Sequence, residues 1–234
     1  MKKYETAEMF DDIAPKYDFL NRLLSFRIDV LWRRRSIKIL EKRSHETILD
    51  VATGTGDLAL ACMKMKPVPK KIIGIDVSEK MKAKAVKKIE KKGYSETIEI
   101  QYGDGENIRF EDNTFDVVTV AFGVRNFENP DRGLSEMLRV ARPGGTICIL
   151  EFSTPKNPFF GALYKFYSFT VLPATGRLFS GNAAAYDYLP ESIVKFPCGS
   201  DMIDLMKKTG YVDTFFKPMT FGTATIYIGS KPQA

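Results

Sequence analysis

The chain of 234 residues holds three cysteines, one histidine and one tryptophan. Cys62, Cys148 and Cys198 have neither the number nor the spacing of a disulfide framework or a thiolate metal site, so no metal is expected. No run of eighteen apolar residues occurs, which excludes a membrane-spanning helix from the reading. No apolar leader opens the sequence, and with so few cysteines the expected setting is reducing and cytoplasmic. There is no internal repeat and no low-complexity tract. His45, beside Glu46 and ahead of the first strand, reads as a surface residue in preference to a general base.

What is present is ordinary globular material, 44% hydrophobic and 27% charged, enough for one α/β domain with a sizeable core. The net charge of +6 concentrates in one stretch, where Lys80, Lys82, Lys84, Lys87, Lys88, Lys91 and Lys92 alternate with Met81, Ala85 and Ile89. That pattern predicts a solvated helix face opposite an apolar stripe. Arg33-Arg34-Arg35 forms a second basic cluster. An anionic membrane surface is a weaker reading of this charge and nucleic acid the weakest, so no nucleic-acid partner is expected.

The segment from Ile48 to Leu60 organises the rest. An apolar run ends in Thr53-Gly54-Thr55-Gly56, and Asp57 opens a helix. Glycines at a strand-to-helix turn let the backbone fold tightly and let a ligand come close. With Ala59 completing the glycine pattern and Asp76 ending the next apolar run, the unit reads as a nucleotide-binding βαβ. A dinucleotide and S-adenosylmethionine compete for that reading. Asp50 precedes the turn and Asp57 sits in the helix's first turn, where a pyrophosphate would otherwise rest. Two carboxylates there favour a cationic ligand without phosphate, which is S-adenosylmethionine. A tight turn with Asp57 as a capping residue is the bland alternative.

Around this unit, residues 1–46 predict helices broken at Pro15, a cover for the cleft. Residues 47–152 alternate strands with helices: Lys71–Asp76, Ile98–Tyr102, Phe115–Phe122 and Thr146–Phe152 are strands, and Pro130–Val140 is a helix. This predicts a doubly wound, mostly parallel sheet. From 153 to 198 the alternation fails, and Phe159, Phe160, Tyr164, Phe166, Tyr167, Phe169, Phe179, Tyr186, Tyr188 and Phe196 accumulate. Such an insert lines a pocket for a large apolar substrate, rests on a membrane, or packs as a helical cap. Residues 199–234 return to a helix and two strands, Val212–Phe216 and Thr225–Gly229.

Whole motifs now resemble the UbiE/MenG family of quinone-biosynthesis C-methyltransferases. They are Met9-Phe10-Asp11 through Asp18, Trp32-Arg33-Arg34, Asp50 through Asp57, Ala121-Phe122-Gly123-Val124-Arg125-Asn126, Arg139 through Gly145, Glu151-Phe152, and Tyr186 through Pro197. The resemblance implies a class I S-adenosylmethionine-dependent methyltransferase sheet of seven strands, the last antiparallel, and methylation of a ring carbon of a prenylated quinol. Demethylmenaquinol is the favoured acceptor, with 2-polyprenyl-6-methoxy-1,4-benzoquinol the alternative. It implies cofactor contacts at Asp50, Gly54, Thr55, Asp76, Asp104 and Gly105. It also implies transient membrane contact and a homodimer or quinone-synthesis assembly. Arg125 would stabilise a phenolate with Asn126 as its partner, and Tyr17 and Asp18 would contact the quinol or relay its proton. A buried ion pair is the competing role for Arg125. Departures are Ala121 where some members carry serine, Arg27 where glycine is usual, Ala141 for leucine and Arg142 for lysine. Another methyltransferase of the same fold acting on a small molecule or sterol, an inactive binding subunit, and an NAD-dependent oxidoreductase are the less favoured functions.

Overall fold

Seven apolar runs pair into one mixed sheet in a computed structural model that describes residues 3–171 and 183–233. The strands are β1 (Thr47–Val51), β2 (Lys71–Asp76), β3 (Ile98–Tyr102), β4 (Phe115–Ala121), β5 (Ala141–Phe152), β6 (Val212–Met219) and β7 (Ala224–Ser230). Their order is β3-β2-β1-β4-β5-β7-β6. The first five run parallel, and β7 slots antiparallel between β5 and β6. This is the class I methyltransferase architecture that the motifs imply. The chain reverses direction across the sheet between β1 and β4, and open α/β sheets bind ligands at the carboxyl ends of strands beside such a reversal.

Both sheet faces are covered, which is why β1 and β4 read as continuous apolar runs and not as alternating ones. Ile48, Ile72, Val117, Cys148 and Ile226 share one core with α3 (Ile28–Leu40), α4 (Asp57–Cys62) and α5 (Glu79–Lys91). Leu49, Ile75, Val118, Ile147 and Tyr227 point to the opposite face, against α6 (Pro130–Val140) and a later helix, Ser200–Thr209. Ser78 caps α5 by accepting from the Met81 N–H at 3.1 Å, as its position predicts. Three strands exceed their predicted length, β7 by one residue at each end and two others by more. β6 continues through Lys217, Pro218 and Met219, tolerating the proline because it is an edge strand. β5 starts at Ala141, with its register jumping between the Phe115–Ala141 and Val117–Thr146 pairs to accommodate the Pro143-Gly144-Gly145 turn.

Ahead of β1, α1 (Lys3–Ile13) breaks into a short turn at Ala14–Lys16, where Pro15 removes a donor, before α2 (Tyr17–Leu24) and α3. At the α2–α3 corner Phe26 (φ 49°) and Arg27 (φ 62°) are left-handed, a conformation that disfavours any side chain. The resemblance expects glycine at Arg27, and this backbone explains the preference. After β5 come α7 (Pro158–Phe166), a π-helical turn (Tyr167–Val171), α8 (Ala183–Lys195) and α9 (Ser200–Thr209). The aromatic insert splits by face. Tyr164, Tyr167 and Tyr188 turn toward a cavity, while Phe159 (72% exposed), Phe166 and Phe169 face outward. Phe179 lies outside the described residues.

Three readings from sequence need correction. Lys84 and Lys88 are not part of a purely solvated face: Lys84 donates to the Ala14 carbonyl at 2.6 Å, and Lys88 reaches Asp57 at 2.6 Å and Asp18 at 3.1 Å. Arg33 is buried against Asp29 at 2.6 Å, leaving Arg34 and Arg35 as the exposed pair of that cluster. His45 is also buried, its ring nitrogens 2.6 and 2.9 Å from the carbonyl oxygens of Arg43 and Pro67. The partners of Lys84 and Lys88 come from distant segments, which charge periodicity alone misses, whereas Arg33 finds Asp29 one turn earlier on its own helix.

Candidate active site

The ends of β1, β2 and β4 open into a small polar cleft of about 70 Å³. Gly54, Asp76, Gly103, Asp104, Gly105 and Glu106 line its floor, and Thr6, Phe10 and Tyr17 of the N-terminal helices form its roof. The turn after β1 demands its glycines. Gly54 has φ 57°, and a Cβ there would meet nothing within 4 Å, so it would occupy the space left for a ligand. At Gly105 a Cβ would come within 2.6 Å of the Phe127 ring and 2.7 Å of Val51. Asp76 is fixed by two backbone donors, the Gly54 N–H at 2.7 Å and the Ser78 N–H at 2.9 Å. Burial pushes its carboxyl up to about 6. Asp104 accepts from the Glu106 N–H at 3.0 Å. Among the described residues lining the cleft there are three carboxylates and no cation.

Two expected contacts fall elsewhere. Asp50 lies beneath the turn, 1% exposed and outside the cleft lining, with its carboxylate held by the Thr53 and Thr119 hydroxyls at 2.6 and 2.8 Å. Burial pushes it, too, up to about 6. The Thr55 side chain leaves the cleft and donates to Asp18 at 2.5 Å. It joins a polar seam between the N-terminal helices and α4–α5, where Arg22, Arg33 and Lys88 face Asp18, Asp29 and Asp57. Burial pushes the Asp57 carboxyl up, but the Arg33 and Lys88 charges more than offset that and hold it below the usual range. Asp57 therefore spends its charge on the seam, and the repulsion expected from it at the turn does not apply. The argument against a phosphate stands on the cleft's own carboxylates.

Beside the cleft lies a larger cavity of about 280 Å³, assembled from α1–α3, the end of β4, α7, α8 and the turn before β7. Phe10, Tyr17, Phe122 and Asn126 line both spaces and form their common wall. Phe122 takes φ 60°, an outlier for a bulky residue, and its carbonyl accepts from both Arg125 Nη1 and Asn126 Nδ2. Asn126 Oδ1 accepts from the Tyr188 hydroxyl at 3.2 Å. Arg125 is ion-paired, at 2.8 Å, with the fully buried Glu151, the competing role anticipated for it, and it still lines the cavity. Burial raises the Tyr17 phenol above its ordinary range, against the pull of Asn21 and the Arg125 and Arg33 charges. Tyr17 is thus a neutral donor near pH 7.

Glu151, Trp32, Phe122 and Phe152 stand in motifs that carry the resemblance, but sequence reading gave them no role: Glu151 is the partner that fixes Arg125, and the three aromatic rings, 4.4 to 6.1 Å apart, make a floor. The signal for Glu151 was a lone carboxylate ending an otherwise apolar strand, since a buried charge needs a partner.

With this geometry in hand, comparisons with known proteins agree among themselves. The model of the ubiE/COQ5 methyltransferase family matches residues 1–231. The ubiquinone/menaquinone biosynthesis C-methyltransferase UbiE of Geobacter sulfurreducens is 48% identical over 96% of this chain and 87% of its own. The demethylmenaquinone methyltransferase of Bacteroides fragilis is 44% identical over 98% and 94%. Among solved structures, the [4+2]-cyclase SpnF superposes with a TM-score of 0.72 at 15% identity over 97% and 95% of the two chains. A methyltransferase of Thermotoga maritima described as a possible histamine N-methyltransferase gives 0.64 at 20% identity over 97% and 99%. At those identities the two structures speak for the fold alone.

Proposed function

The chain belongs to the ubiE/COQ5 methyltransferase family, and we propose that it transfers the methyl group of S-adenosylmethionine to a ring carbon of a prenylated quinol, demethylmenaquinol in menaquinone biosynthesis. The observation that carries this reading is the common wall: Phe10, Tyr17, Phe122 and Asn126 line both a polar cleft and an apolar cavity, so two different ligands would meet there.

The cleft fits S-adenosylmethionine. Its floor at Gly54 has space that a Cβ would fill, and the described residues lining it include three carboxylates and no lysine or arginine, which suits a ligand bearing an ammonium and a sulfonium. Asp76 would accept from the ribose hydroxyls, using lone pairs left by its two backbone donors. Asp104 and Gly105 would hold the adenine, while Asp50 and Thr55 would act beneath and behind the turn. When bound, the cofactor supplies a methyl already activated by a positive sulfur.

The protein's remaining tasks are alignment and the acceptor's ionisation. Holding the reacting atoms in near-attack geometry supplies on the order of 7–11 kcal/mol. The ring carbon becomes nucleophilic as the neighbouring hydroxyl loses its proton. Arg125, held by Glu151 and the Phe122 carbonyl, would stabilise that developing phenolate, and Tyr17 would donate a hydrogen bond to it. The one carboxylate among the described residues lining the cavity, Asp29, is already engaged by Arg22, Arg33 and Ser25, so the site favours the phenolate through cations and donors more than through an internal base. Arg125 and Asp29 each have a counter-charge, which suits an acceptor that enters neutral.

A prenyl tail would bring the enzyme to a bilayer. The exposed stripe of Phe159, Leu163, Phe166 and Phe169, 51–72% exposed, is the proposed contact. Among the described residues no helix is long and apolar enough to cross a membrane, so this contact would be peripheral. Co-flotation with anionic liposomes is expected, and protein left wholly in the soluble fraction would reject it. The central test is turnover with labelled cofactor on short-tailed demethylmenaquinol and methoxybenzoquinol in parallel. Label in the naphthoquinol alone supports the menaquinone reading, label in both indicates a dual enzyme, and label in neither rejects quinol methylation.

A further inference from the structure

We propose that Arg33 is a second recognition residue for the acceptor, holding the ring hydroxyl para to the one that Arg125 faces. This rests on the quinol reading above and assigns the far edge of the ring, which that reading leaves without a partner.

Two guanidinium groups line the cavity, and they are built alike. Arg125 is paired with the buried Glu151 at 2.8 Å, and Arg33 with the buried Asp29 at 2.6 Å. Arg125 lies 5.2 Å over the Phe152 ring and Arg33 lies 5.6 Å over the Phe122 ring, while those two rings are 4.4 Å apart. Each cation thus flanks one half of a single aromatic floor. Both arginine side chains are nine-tenths buried, at 6% and 10% exposure. In both, the Nε donor is buried without a hydrogen-bond partner among the described residues.

A buried donor left unpaired is costly, so it calls for an explanation. The third such atom in the described residues is the Thr214 hydroxyl, on β6 and outside the cavity lining. Two guanidinium groups on one aromatic floor, each with its charge already balanced, match a flat neutral ring carrying an acceptor atom at each end. A 1,4-dihydroxy aromatic ring has that form. Arg125 adjoins Asn126 on the wall shared with the cleft, so it takes the hydroxyl beside the reacting carbon. Arg33 takes the other. Its Nη1 donates to Asp29, which fixes the guanidinium plane, and its Nη2, 3.9 Å from Asp57, is left for the ligand.

The test is a cycle of one substitution and one substrate deletion. Arg33→Lys keeps the charge for Asp29 and removes the Nη2 donor. The deleted substrate is a 3-prenyl-1-naphthol, which keeps the hydroxyl beside the methylated carbon and lacks the para one. KM for the prenylated 1,4-naphthoquinol is expected to rise about tenfold in Arg33→Lys, with a smaller change in kcat and unchanged cofactor affinity. The wild-type protein is expected to lose a similar factor on the naphthol, and the variant to lose little more there. Equal losses by the variant on both acceptors mean a purely structural Arg33 and overturn the proposal. If Arg33→Lys does not fold, the wild-type protein still decides: a naphthol KM close to that of the quinol overturns it. Turnover of neither acceptor by the wild-type protein rejects the quinol reading itself and the role of Arg33 with it.

Discussion

The polar cleft and the aromatic cavity share one wall, yet they treat charge in opposite ways. In and beneath the cleft, Asp50 and Asp76 are buried against hydroxyls and backbone N–H groups, and among the described residues no cation lines the space. In the cavity, Glu151 and Asp29 are each locked to an arginine. Uncompensated carboxylates leave a negative potential that favours a cationic ligand, whereas compensated pairs leave a neutral space with directed donors. The difference separates a place for a charged methyl donor from a place for a neutral acceptor, using only the protein's own groups.

The largest expected effect comes from breaking the cavity's pairing. Arg125→Ala removes the proposed phenolate partner, and kcat is expected to fall by about 10²–10³ while cofactor affinity measured by calorimetry stays unchanged. It also strands Glu151, which is fully buried, at a cost to stability on the order of 3–5 kcal/mol. The double variant Arg125→Met with Glu151→Leu separates the two consequences. Stability is expected to recover and turnover is not. Recovery of both would reduce Arg125 to a structural ion pair.

The cleft is sensitive to volume where the cavity is sensitive to charge. Gly105→Ala drives a Cβ to 2.6 Å from Phe127 and 2.7 Å from Val51, an overpacking worth about 1–3 kcal/mol. Thermal unfolding should show a melting temperature lower by several degrees together with weaker cofactor binding. An unaltered protein would mean that Phe127 swings away freely and that the cleft is less rigid than its backbone suggests.

The same contrast explains what was legible in the sequence. The cleft comes from one contiguous unit, strand–turn–helix–strand, so Gly54 and Asp76 declared themselves by local spacing, and the parallel sheet followed from the alternation around them. The cavity is assembled from α1–α3, β4, β5 and α7–α8, segments more than a hundred residues apart, and no local period links Glu151 to Arg125 or Arg33 to Phe122. Lys88 misled for the same reason: its helix shows ordinary amphipathic spacing, and only the fold brings Asp57 to it. Arg33 differs, because Asp29 lies one turn away on its own helix and that pair was legible from the i,i+4 spacing. The family motifs pointed to Arg125 and Asn126, but the ion pair and the shared wall are properties of the packing.

The smallest effect, and the most specific to the cleft's charge, concerns Asp50. Burial raises its carboxyl from an ordinary value near 4 to about 6, so the folded protein holds that proton more tightly than the unfolded chain does. A carboxyl raised in this way stabilises the fold most at low pH. Its contribution is lost as pH rises through about 6, leaving at pH 7 a buried charge that the Thr53 and Thr119 hydroxyls and the Arg33 charge only partly offset. Asp50→Asn keeps the shape and removes that charge. The variant is therefore expected to be more stable than the wild-type protein at pH 7, by on the order of 1–3 kcal/mol. That advantage should shrink as pH falls toward 5. Taking the difference between the two proteins cancels every other titrating group, so denaturant melts at the two pH values suffice. A constant difference would mean that Thr53 and Thr119 fully satisfy the carboxylate and that the cleft floor carries no excess negative potential. A shrinking one would place that potential directly beneath the turn, where a cationic ligand would relieve it.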